Sequence, residues 1–171
     1  GRVLLRGRAV KPASRVAAGE TVLIRYPRRE EPRSLHETLP VVYEDEDILA
    51  VNKPGGVLSH PTDKIQLNAA TSIMRRQFPA LRLHLVHRLA RETSGVLLFA
   101  KTPMAARGLF GQFFGRTIEK EYLAIVSGRI TWRRKTLDIP LGREGREIKV
   151  RQAAGAGQPA VTEFLRRRFA P

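Results

Sequence analysis

The stretch HRLARETSG, residues 87–95, gathers a histidine, two arginines, a glutamate, a threonine and a serine into one short run. His87, Arg88, Arg91, Thr93 and Ser94 offer hydrogen bonds and positive charge, which suit a phosphate or the edge of a base. A plainer reading has Thr93 and Ser94 satisfying loop backbone while the arginines are solvated. Ala90 stands out among these polar side chains, because a methyl group can neither attack nor accept a proton.

The elements that must position this run are legible on both sides of it. LHLV before it and GVLLFAK after it read as short buried strands, so the motif is a loop on a rigid scaffold. Upstream, VVYED and DILAVNK read as two strands around an acidic turn, and Pro54-Gly55-Gly56 imposes a sharp turn. LNAATSIMRRQ, residues 67–77, suits a helix with Asn68 as its cap. Thr102 followed by Pro103 marks a second helix start. Ala106, Leu109, Phe110, Phe113 and Phe114 then fall on one helical face, and the phenylalanines are expected in the core.

The ends of the chain read as strands. RVLL, GRAV and ETVLIRY are short strands with turns at Gly7 and Gly19, and residues 27–40 read as a proline-rich linker. EYLAIVSG, TLDIPLG, EIKVRQ and AVTEFLRRRF return to strand character after the second helix. Several strands with two helices between them indicate an α+β fold.

Composition narrows the partner. In 171 residues, 31 Lys and Arg face 16 Asp and Glu, a net charge of +15, while 42% hydrophobic residues can supply a core. Such an excess fits a polyanion, and nucleic acid rewards many separate cations through counterion release. A solvated basic surface is the alternative. There is no cysteine, and His36, His60, His84 and His87 do not have metal-ligand spacing, so disulfides and the usual zinc sites are excluded. No run approaches the roughly 18 apolar residues of a spanning helix, and no signal-peptide pattern opens the chain, so the expected location is the cytoplasm. A membrane-surface protein would need an amphipathic cationic helix, and residues 103–114 hold too few cations.

The order VVYEDEDILAVNKPGGVLSHP, LVHRLARETSGVLLFAKT, EKEYLAIVSG, GQPAVTEF resembles the RluA-type RNA pseudouridine synthases. That family's central motif is HRLD, two variable residues, then TSG, and this chain departs from it only at Ala90. The resemblance spans residues 38–168, and residues 1–26 resemble the second half of an alpha-L RNA-binding domain. It implies a partial alpha-L domain at 1–30, a linker at 31–38 and a pseudouridine synthase domain at 39–171. The implied fold is α+β, with a mixed, mainly antiparallel central sheet and flanking helices. The family continues past AVTEFLRRRF into a motif similar to GRTHQIRVH, so the catalytic domain is expected to be truncated at its C-terminus. A sheet lacking its last strands should be marginally stable or self-associating.

The implied activity is isomerisation of uridine to pseudouridine in ribosomal or transfer RNA, with no metal and no organic cofactor. The partner is RNA, at a uridine in a structured loop that swings into the pocket, and the resemblance sets no oligomeric state. Ala90 occupies the place of the family's catalytic aspartate, Arg88 matches the arginine that fills the space left by the base, and Tyr122 matches the tyrosine that packs on uracil and assists proton transfer. Arg88, Arg91, Lys101, Lys149 and Arg151 are the expected RNA contacts, and His87 orients the loop. Breaking a C–N glycosidic bond and rejoining the base through carbon requires a carboxylate for capture or proton abstraction. Glu92, two residues on, would have to reach the same point within about an ångström. The chain is therefore expected to be inactive or to trap substrate; a non-catalytic RNA-binding or ribosome-assembly protein is the alternative.

Overall fold

Strand alternation and register organise the central sheet of the computed structural model, which describes residues 3–11, 13–25, 31, 34, 36–143, 152–154 and 157–167. The chain forms two compact units, Gly1–Lys120 and Glu121–Pro171. The expected linker at 31–38 falls inside the first of them.

In the first unit, β1 (Val3–Leu5), β2 (Arg8–Ala9) and β3 (Val22–Ile24) form a small antiparallel sheet in the order β2-β1-β3. Its turns use Gly7 and Gly19, as the sequence suggests. The larger sheet has the order β4-β5-β7-β6, from β4 (Val41–Glu44), β5 (Ile48–Lys53), β6 (His84–Leu85) and β7 (Gly95–Ala100). All its pairings are antiparallel. Among the described residues the expected mixed character is confined to one parallel bridge, Leu58 to Ala69.

A helix covers each face of this sheet. The register sets Leu49 opposite Phe99 and Val51 opposite Leu97, so these four share one face. They pack with Ala70, Ile73 and Met74 of α1 (Ala70–Gln77). Phe99 is almost wholly buried, which stabilises the fold by about 2–3 kcal/mol. On the other face Leu98 and Ala100 join Ala106, Leu109 and Phe113 of α2 (Pro103–Phe114). Burial on both faces is why LAV in β5 reads as a continuous apolar run rather than an alternating one.

Three local expectations are corrected. The α1 cap is Ala69, with no side-chain bond, because the Leu58 carbonyl accepts the Ala70 N–H at 2.7 Å and the Ser59 carbonyl the Thr71 N–H at 3.4 Å. The Asn68 N–H is instead held by the Glu31 carboxylate. On α2, Thr102 caps as expected, accepting the Ala105 N–H at 3.1 Å, but Phe110 and Phe114 are exposed, since only one narrow face meets the sheet. EYLAIVSG forms no strand among the described residues and lies exposed, having no partner ladder.

The second unit contains β8 (Arg134–Asp138), β9 (Leu141–Arg143), β10 (Gln152–Ala154) and β11 (Val161–Leu165). They pair as two antiparallel ribbons, β8 with β11 and β9 with β10. Most of the expected EIKVRQ strand lies outside the described residues.

Candidate active site

HRLARETSG bridges β6 and β7 as the sequence indicates, and two clamps fix it. Before Ala90, Leu89 buries its side chain in the main core while Ser59 holds both its backbone groups. The Ser59 hydroxyl donates to the Leu89 carbonyl at 2.8 Å and accepts the Leu89 N–H at 3.0 Å. Neither buried backbone group is left unpaired.

After Ala90, the Arg91 carbonyl is the anchor. It accepts the Gly56 N–H at 2.9 Å and a proton from Lys53 Nζ at 3.1 Å. Lys53 is fully buried and also donates to the carbonyls of Val57 at 2.8 Å and Pro54 at 2.9 Å. Each ammonium proton thus has an acceptor, which is how a cation survives in the core. Burial pushes the Lys53 pKa below the ordinary lysine value, while the Glu92 carboxylate acts in the opposite direction.

The turn 54–56 is shaped for this contact. Gly56 has φ +83°, where a side chain is strained, and a Cβ on Gly55 would stand 3.3 Å from the Glu92 carbonyl. Arg91 completes the brace, donating from Nε to the Gly56 carbonyl at 3.1 Å. The Ala90 carbonyl accepts the Thr93 N–H at 3.1 Å, closing the loop on itself.

His87 anchors the base of the loop. Its Nε2 accepts the Leu98 N–H at 3.0 Å, which places the ring proton on Nδ1, and the ring stacks on Phe113 with centroids 4.7 Å apart. Burial, and secondarily the Lys120 charge, hold its pKa below the usual histidine value. A neutral, hydrogen-bonded and stacked ring orients the loop, in line with the sequence reading.

Between the clamps Ala90 is exposed, and so is Arg88, whose side chain has no hydrogen bond or ion pair among the described residues. Glu92 lies with Oε1 3.5 Å from Arg91 Nε, so its carboxylate is turned toward the arginine. Arg91 is therefore a brace of the loop and half-exposed rather than a free cation.

The other expected site residues fall elsewhere. Lys101 follows the far end of β7, about 20 Å along the strand from the loop at ~3.3 Å per residue. Its Nζ is held by Glu44 Oε1 at 2.8 Å and by the Asp45 carbonyl at 2.7 Å, and it secures the acidic turn. Tyr122 opens the second unit and is exposed. Lys149 and Arg151 lie outside the described residues.

Sequence reading missed Lys53 and Ser59, although both lie in the quoted run VNKPGGVLSHP. A lysine ending an apolar strand just before Pro-Gly-Gly was the available signal, but its meaning depends on a partner 38 positions away.

A central antiparallel sheet with a helix on each face, and a clamped HRL-x-R loop at one end, define the class: an RNA pseudouridylate synthase fold. The chain belongs to that family, whose model, RNA pseudouridylate synthase, matches residues 47–167.

Similar proteins include the RNA pseudouridine synthase YlyB of Bacillus subtilis, 34% identical over 173 residues covering 96% of this chain and 57% of that one. Ribosomal large subunit pseudouridine synthase D of Escherichia coli O6:H1 is 35% identical over 170 residues, 95% of this chain and 52% of that one. Among solved structures, human RNA Pseudouridylate Synthase Domain Containing 1 superposes with a TM-score of 0.60 at 29% identity, covering 79% of this chain and 54% of that one. The chain spans about half the length of the curated relatives it matches.

Proposed function

We propose that loop 87–94 receives a uridine swung out of RNA and that Ala90 leaves the isomerisation without its carboxylate, so the chain holds substrate with little or no turnover. The observation that carries this reading is the double clamp: the backbone on both sides of Ala90 is fixed, yet its Cβ carries no reactive group. Isomerisation breaks the C1′–N1 bond, turns the base and forms C1′–C5, with the C5 proton lost and N1 taking up a proton. The group that attacks or takes a proton is assigned to position 90, and Glu92 lies on the exposed side of the loop with Oε1 3.5 Å from Arg91 Nε.

Arg88 is proposed to fill the stack when the base leaves, and Tyr122 is proposed to pack on uracil. The RNA is proposed to be that of the large ribosomal subunit, after the names of the relatives, and the site is proposed to work with neither metal nor organic cofactor. Residues 1–30 are proposed as part of an alpha-L RNA-binding domain, 31–38 as a linker and 39–171 as synthase domain, acting in the cytoplasm. Among the described residues no helix is long and apolar enough to cross a membrane.

The test is tritium release from RNA labelled at uridine C5, comparing the chain with Ala90→Asp. Release by the Asp variant at least about a thousandfold faster is expected, the scale on which removal of a catalytic group acts. Equal rates would refute the assignment of position 90.

A non-catalytic RNA-binding module is the second reading, favoured by the exposed cations of the second unit. It expects Arg88→Ala to leave any preference for uridine-containing loops unchanged, whereas the pocket reading expects that preference to be lost.

A further inference from the structure

The β8–β11 ribbon carries RKTLD on one strand and VTEFL on the other, flanked by Trp132 and Arg133 and by Arg166, and its register sorts their charges. Directly opposed residues of an antiparallel pair share a face. Lys135 opposes Phe164 and Arg134 opposes Leu165, while the Arg166 N–H donates to the Arg133 carbonyl at 2.9 Å, continuing the pairing one step further. One face therefore carries Arg133, Lys135 and Arg166 around Phe164. The other carries Arg134 with Glu163 and Asp138, and Arg134 Nε donates to Glu163 Oε1 at 2.8 Å.

The two faces differ in availability as well as in sign. The side chains of Arg133 and Lys135 are exposed and have no hydrogen bond or ion pair among the described residues. Arg166 is steadied by a bond from Nη1 to the Ile130 carbonyl at 2.8 Å. Trp132 meets Phe164 edge to face, with centroids 6.2 Å apart and planes at 68°, so an aromatic pair sits beside the cations. Cations two residues apart on one strand face are about 7 Å apart, close to the spacing of successive phosphates in an extended nucleic-acid strand.

We propose that the Arg133, Lys135 and Arg166 face of this ribbon is a separate binding site for single-stranded RNA. The cations take successive phosphates and the Trp132–Phe164 pair offers a ring face to an unstacked base. An acidic polypeptide would meet the charges but would gain nothing from the aromatic pair. The proposal rests on RNA being the partner, and it needs neither the loop at 87–94 nor turnover.

Binding of the whole chain to a fluorescent single-stranded oligoribonucleotide, titrated across salt, tests it. Arg133→Gln with Lys135→Gln is compared with Arg134→Gln, on the opposite face, together with Arg129→Gln, an exposed arginine outside the ribbon strands, which changes the net charge equally. The first pair is expected to weaken binding about tenfold and to lower the slope of log affinity against log salt by about 1.4, at ~0.7 per phosphate contact. The second pair is expected to change affinity less than about twofold. Trp132→Leu, which keeps an apolar contact with Phe164, is expected to cost about fivefold or more with the salt slope unchanged.

Equal losses from the two charge-matched pairs would overturn the proposal. So would competition by polyglutamate as effective as competition by unlabelled RNA. Failure of Ala90→Asp to release tritium, with the charge-pair difference intact, would count against the loop alone.

Discussion

Loop 87–94 and segment 121–128 both carry ordered motifs, yet the structure treats them oppositely. In the loop, Leu89 is held at both backbone groups and in the core, and the Arg91 carbonyl is held twice. In the segment, Leu123 and Ile125 are 90% and 102% exposed, and no backbone hydrogen bond among the described residues involves 122–126. The difference is one of partners. The loop's clamps are all supplied by 53–59, whereas a strand pattern such as YLAIV becomes a strand only where another strand offers it a ladder.

The largest effect should come from Lys53. Lys53→Met, which preserves bulk, removes the ammonium donor shared by three carbonyls, of which Arg91 keeps the Gly56 N–H, and should destabilise the first unit by about 3 kcal/mol, read from urea unfolding. It should also release the Gly56 and Thr93 amides to hydrogen exchange. A variant as stable as the parent, with those amides still protected, would mean that the Gly56–Arg91 bond alone fixes the loop.

Ser59→Ala is a smaller break of the same kind. It leaves the Leu89 N–H and carbonyl buried without partners, at a cost of about 1–2 kcal/mol. Exchange of the Leu89 amide should rise about tenfold, while amides of 122–126 should exchange rapidly in both proteins. Protection of 122–126 would erase the contrast between the two regions.

The smallest effect is in pH. His87 has its folded pKa below 6.5, so as pH falls through that value the unfolded chain takes up a proton before the folded one does. Its stabilising contribution is present above about pH 6.5 and is lost as pH drops toward the folded value. Stability should therefore fall between pH 7.5 and 5.5, and His87→Phe, which keeps the ring but cannot titrate, should flatten that fall. Identical pH profiles would remove His87 from the loop's support.

Much of this was legible in the residues. The strands of both sheets in the first unit, the Thr102 cap and the position of the loop all follow from period, turn chemistry and apolar runs, which act over a few neighbours. The misses are long-range. Ala69 can cap α1 without a side chain because the Leu58 and Ser59 carbonyls stand in front of the helix. Phe110 and Phe114 share helical spacing with Leu109 and Phe113, but the width of the sheet decides which are covered. The tie from Lys101 to the acidic turn likewise joins residues more than fifty positions apart.

The clamps around Ala90 touch main-chain atoms and the flanking Leu89 core contact, never the side chain at position 90. The scaffold is therefore indifferent to what that position carries. Either aspartate codon becomes an alanine codon by one change at its middle base, and two of the four alanine codons revert the same way, so one nucleotide change can remove or restore the carboxylate while the loop stays folded. On this architecture, gain and loss of a reactive group are neighbouring genetic states with the same fold.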